Sequence, residues 1–104
     1  MIFSNLDCVP GKTIVEHYGI VQGSTVRARN IGVDCLAGCK NTIGGEIKGY
    51  SELLEASRKE SLYRMGQQAA ALGANAVINV RYGTSAIAAG AAELLAYGTA
   101  VKVE

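Results

Sequence analysis

Cys35 and Cys39 stand four apart in "NIGVDCLAGCKNTIGG", residues 30 to 45, in a chain with three cysteines and one histidine. Thiolates are soft donors, and two of them at i and i+4 on a helix can hold one ion, the spacing at which paired histidines grip zinc in HExxH. Zn or another soft metal ion is the cofactor this spacing suggests, with Cys35 and Cys39 as ligands. A closed tetrahedral site needs four donors. The other two would come from Cys8, from His17, or from the same cysteines of a neighbouring subunit.

A plainer reading competes. In a helix over 31 to 43, residues four apart are offset by about 40 degrees and lie roughly 6 Å apart along the axis. Ile31, Cys35, Leu36, Cys39 and Ile43 then form one apolar arc, with Asp34, Gly38, Asn41 and Thr42 opposite. Free cysteines commonly behave as small buried hydrophobes, so the pair reads first as part of an apolar face and second as half of a metal site. Gly32 and Gly38 each cost such a helix about 1 kcal/mol, so packing must stabilise it. A disulfide between the two is disfavoured, because side chains at i and i+4 run nearly parallel.

Other reactive residues are sparse. His17 lies in a strand-like stretch beside Glu16, which points to the opposite face, and no third group is visible to orient a Cys and His nucleophilic pair. No catalytic constellation emerges. The 13 glycines include no GxGxxG after a strand and no P-loop. Gly44 and Gly45 read as a turn. Asn79 and Arg81 are expected to share the polar face of a strand, where in a ring they would line a channel or a pocket between subunits.

The elements that position these residues follow from periodicity. At 104 residues the chain fits one domain spanning 1–104 with one modest core. "KTIVEHYGIVQGSTVR", residues 12 to 27, is rich in β-branched and aromatic residues and reads as a first strand interrupted near Gly19 and Gly23. Gly49 to Leu72 reads as a long amphipathic helix with Tyr50, Leu53, Leu54, Ser57, Ser61, Met65, Ala69 and Leu72 on its buried side. Arg58 falls inside that arc and would need a partner. Gly73 supplies the αL residue past the helix end. "ANAVINVRY" alternates as a second strand, with Ala76, Ile78, Val80 and Tyr82 on one face and Val77, Asn79 and Arg81 on the other. A small-residue linker, "GTSAIAAGAA", leads to a third strand, "ELLAYGTAVKV".

A helical crossover makes the first two strands parallel, and a hairpin makes the third antiparallel to the second and able to lie between them. The expected fold class is α+β, a two-layer β-α-β-β subunit with one long helix on a three-stranded mixed sheet. Its open edges and partly open face favour a closed homo-oligomer. Ten Lys and Arg against nine Asp and Glu leave no field to steer the chain to nucleic acid or an anionic membrane. No run is long and apolar enough for a membrane span, and the N-terminal stretch does not read as a signal peptide, so a cytoplasmic location is expected.

The phrases "IGGE" at 43 to 46, "SRKESLYRMGQQAAALGANAVINVRY" at 57 to 82 and "YGTAV" at 97 to 101, in this order and spacing, resemble the YbjQ-like family, labelled heavy-metal-binding. The resemblance implies a dodecin-like subunit assembled as a pentameric ring in the cytoplasm, and no particular reaction. Arg58 and Glu46 match family positions, which suggests an ion pair within or across subunits. Around Cys35 and Cys39 the family carries apolar or aromatic residues, so a cysteine site would belong to this branch alone. The expected function is a cytoplasmic homopentameric binding or scaffold protein with soft heavy-metal binding. The alternative is a small-molecule binding or sequestering protein with its pocket between subunits. Expected partners are further copies of the chain and a metal ion or small molecule.

Overall fold

The computed structural model describes residues 1–28, 48–88 and 91–104. Strand β1 is Ile2–Phe3, β2 is Ile14–Ala28, helix α1 is Lys48–Ala71, β3 is Ala76–Ala88 and β4 is Ala91–Val103. The sheet order is β1-β3-β4-β2. β4 is antiparallel to both β2 and β3, so the third strand of the long trio lies between the other two as expected. The sheet has four strands rather than three, because Ile2 and Phe3 pair in parallel with Ala76 and Val77. Two residues are too few to show a period, which is why the sequence pattern misses them.

Two other expectations are corrected. Residues 83–88 and 91–92, expected as part of a linker, are strand residues: β3 continues through Ala88 and β4 begins at Ala91, with Ala88 registered against Ala91. Small residues serve here as strand residues. Nor does Gly23 interrupt β2, which runs without a register break from Gly19 to Ala28. The irregularity sits earlier, between Ile14 and Glu16 and between His17 and Gly19, whose φ is +104°.

Helix α1 ends as foreseen, with Gly73 at φ 94°. Leu72 N–H and Gly73 N–H donate back to Ala69 and Ala70 carbonyls, which satisfies the helix end. The buried stripe is Ser57, Ser61, Met65 and Ala69, spaced by four. It is narrower than the sequence suggests, since Leu54 and Leu72 stay exposed and Arg58 is also exposed. Small facing residues bring the helix close to the sheet, so only its innermost row is covered.

Gly23 shows how close. A Cβ there would collide with the helix backbone at Ser61 O and Met65 N. Beside it, Ser61 Oγ donates to Leu94 O at 3.0 Å and accepts from the buried Thr25 hydroxyl at 3.2 Å, with Ser57 O, 3.4 Å from the same Thr25 oxygen, as the longer alternative acceptor for its one proton. The polar atoms of this interface are thus paired, as burial requires. Below them Val21, Met65, Ala69, Val77, Ala96 and Ala100 form the apolar core between helix and sheet. Burial of Met65 alone contributes about 2 kcal/mol.

The segment from β1 to β2 crosses the other, outer face of the sheet. Val9 seals a second cluster with Ala76, Ile78, Val101 and Val103. Thr13 and Glu104 exchange backbone hydrogen bonds of 2.9 Å, which fixes the end of this crossing beside β4. Beyond this cover the described residues leave the outer face open, with Ile20 82% and Val26 59% exposed.

Candidate functional site

The most irregular backbone of the sheet lies on β3. Ile78 is registered with Thr99 and Arg81 with Tyr97, so Asn79 and Val80 together face Gly98, which is a β-bulge. Asn79 takes φ 53°, and asparagine tolerates this left-handed conformation better than most residues. The bulge frees two N–H groups from the ladder: Asn79 donates to Leu6 O at 2.8 Å and Val80 to Ser4 O at 3.0 Å. Ser4 Oγ in turn accepts from Leu6 N and donates to Cys8 O, which holds the receiving loop.

The extra residue also reverses the faces of β3. Val80 joins Val77 against the helix-side core, while Arg81 comes round to the outer face opposite Tyr97. The expected grouping of Val80 and Tyr82 with Ala76 and Ile78 is therefore wrong, because strict alternation fails at the bulge. Asn79 and Arg81 are nonetheless brought together. With Ile20, Tyr97, Gly98 and Thr99 they line a shallow outer hollow of about 300 Å³. Arg81 Nη1 donates to Asn5 O at 2.9 Å and Val80 O at 3.0 Å.

A second, larger groove of about 580 Å³ lies between β1 and the C-terminal half of α1. Phe3 sits over Gly66, where a Cβ would come within 2.9 Å of its ring. Met1, Tyr63, Ala70 and Ala74 extend this apolar wall, and Gln67 and Asn75 supply its polar points. Gln67 donates to the Tyr63 hydroxyl at 3.2 Å. Asn75 is engaged elsewhere, since its side-chain amide donates to Val103 O and accepts from Val103 N, like an added rung of the ladder. Among the described residues its lining is mainly apolar, with Gln67 and Asn75 as the polar groups.

Of the residues singled out for metal or ion-pair chemistry, Cys35, Cys39 and Glu46 lie outside the described residues, as do the helix expected over 31 to 43 and the turn at Gly44 and Gly45. Cys8 is a free, exposed thiol in the loop after β1. His17 is exposed on β2, registered with Val101. Among the described residues no three His, Cys, Asp or Glu side chains gather as a metal site. Arg58, which falls inside the apolar arc expected from the sequence, is exposed in the chain. Glu16, two residues from Tyr18, accepts the Tyr18 hydroxyl at 3.1 Å. Partial burial, then this hydrogen bond and the carboxylate's charge, raise the Tyr18 phenol above its usual 10.0. Neither the bulge nor the Phe3 groove has a strong sequence signal; an asparagine between alternating apolar residues is the only hint of the first.

Among the described residues these features define a small α+β protein, one helix laid across a mixed sheet. The chain belongs to the YbjQ family, described as "Putative heavy-metal-binding", which it matches over residues 1–104. It is 59% identical to a UPF0145 protein of Hahella chejuensis over the full length of both chains. It is also 52% identical to a UPF0145 protein of Archaeoglobus fulgidus, across 99% of this chain and 95% of the relative. The fold is shared with a crystal structure of a protein of unknown function from the DUF74 family of Pediococcus pentosaceus, with a TM-score of 0.69 at 14% identity, covering 100% of this chain and 98% of the other. No helix among the described residues is long and apolar enough to cross a membrane.

Proposed function

We propose that the protein is a cytoplasmic homopentameric binding or scaffold protein whose cargo is a soft heavy-metal ion held by Cys35 and Cys39. The family description supports the metal, and the donor chemistry agrees with it: thiolates select Zn, Cu(I) and similar ions. Two thiolates do not close a tetrahedral site, and assembly completes it by bringing cysteines from neighbouring copies together. The single observation that supports assembly is the outer face that the described residues leave uncovered, where Ile20 and Val26 are exposed on β2. Apolar surface of this kind suits contact between copies.

Native mass spectrometry of the purified protein tests both parts at once. The expected spectrum is a pentamer carrying a soft metal ion, and Cys35→Ser and Cys39→Ser each remove the ion while the pentamer persists. A metal content unchanged by both substitutions overturns the thiol site. A monomer overturns the ring.

The Phe3 groove favours a second reading, a small-molecule binder. Its volume and apolar wall suit an uncharged organic ligand, and a neighbouring copy would close it into a pocket between subunits. A copurifying organic molecule that survives both cysteine substitutions would select this reading.

A further inference from the structure

The outer hollow on β3 has a chemistry of its own. Arg81 makes no ion pair with a described residue; the described pairs are Lys59 with Glu55 and Arg64 with Glu60. Among the described residues no carboxylate lines the hollow. One guanidinium nitrogen, Nη1, is spent on the carbonyls of Asn5 and Val80, which pins the group from one side. Among the described residues Nη2 and Nε have no protein partner. A guanidinium so held presents the remaining edge of its fork, the shape that meets two oxygens of a carboxylate or phosphate.

The surroundings suit the same ligand. Asn79, Tyr97 and Thr99 line the hollow beside Arg81, and each carries a side-chain group able to donate a hydrogen bond. The backbone is shaped for the purpose at some cost: Asn79 is held at φ 53°, and Gly98 is required because a Cβ there would stand 2.8 Å from both Ile78 O and Val77 Cγ1. Backbone held in sparsely populated regions concentrates at ligand-binding positions. About 300 Å³ is at the small end of ligand pockets.

We infer that this hollow is a binding site for a small oxyanion, a carboxylate or a phosphate, with Arg81 as its fork and Asn79, Tyr97 and Thr99 as supporting donors. The site depends neither on the cysteines nor on a bound metal.

The test is titration of the full-length, ¹⁵N-labelled protein with inorganic phosphate and separately with acetate, at constant ionic strength set by chloride. Saturable shifts centred on Arg81, Tyr97 and Thr99 are expected. Preference for phosphate or for acetate tells which oxyanion the site takes. Arg81→Gln is expected to weaken the preferred probe about tenfold or more, the scale of a lost charged hydrogen bond. If Arg81→Gln fails to fold, Arg81→Lys carries the test: it keeps the charge without the fork, and a loss of about fivefold is expected. Binding equal in wild type and Arg81→Lys, or shifts that never saturate, would overturn the proposal. So would a wild type that binds neither probe while Arg81→Gln changes the subunit count, since the hollow would then hold a neighbouring copy's carboxylate.

Discussion

Gly23 and Met65 meet backbone to backbone: the α-carbon of the strand glycine lies against the helix at Met65 N and Ser61 O, where no side chain fits. Gly23→Ala must push a helix away from a sheet rather than turn a rotamer. The expected loss is about 3 kcal/mol, the upper end for overpacking, read from urea unfolding. Gly66→Ala is the contrast. Its added methyl meets the mobile end of Phe3, and replacing a mid-helix glycine gains about 1 kcal/mol of propensity, so near neutrality is expected.

Ser61 donates its one proton to Leu94 O and accepts that of Thr25, so the two buried hydroxyls share one hydrogen bond. Thr25→Val and Ser61→Ala should each cost about 1 kcal/mol. The double variant should cost less than the sum by about 0.5 kcal/mol or more, because the shared bond is lost only once. Strict additivity in denaturant unfolding would show that the two hydroxyls act independently.

The bulge gives a paired expectation. Asn79→Gly keeps the left-handed backbone available and should leave stability unchanged or slightly higher, whereas Asn79→Ala should lose about 1 kcal/mol. Thermal unfolding of the two variants side by side checks this. A stable Asn79→Ala protein would mean that residue 79 does not need φ 53° in solution.

Tyr18 sets an alkaline limit. Its phenol holds its proton more tightly in the folded chain than in the unfolded one, where it titrates near about 10. The stabilisation is therefore complete below the unfolded value and is lost as pH rises through the folded one. Ultraviolet titration should show the Tyr18 phenol ionising above its ordinary value, moved down by Glu16→Gln but not fully, since burial is the larger cause. A Tyr18 titration unmoved in Glu16→Gln would remove Glu16 from this account.

What could be read ahead of the structure was whatever repeats. Helix α1 and the insertion of β4 between β2 and β3 follow from the long 3.6-residue pattern, the period-two strands and the connection rules. Features that break a pattern were misread. Gly23 looked like an interruption because a glycine within a strand can equally mark a break or a close backbone approach, and only the helix opposite decides. Asn79 shifted the phase of β3 by one residue, which moved Val80, Arg81 and Tyr82 to the faces opposite those expected. Arg58 was placed inside by a stripe drawn too wide. The second half of the site, Asn5 and the loop around Ser4, is joined to Arg81 across 76 positions of sequence and leaves no periodic trace.

Two side chains of α1 reach past the core to the outermost strand. Gln68 Oε1 accepts Gln22 N–H at 2.8 Å and Arg64 Nη1 donates to Ser24 O at 2.6 Å, so the helix occupies backbone groups that an incoming strand would use. On the opposite border β1 pairs with only Ala76 and Val77. Growth of the sheet by stray strands in a crowded, newly synthesised population is therefore blocked midway along one border by the fold's own helix. A chain whose helix is undocked lacks that guard.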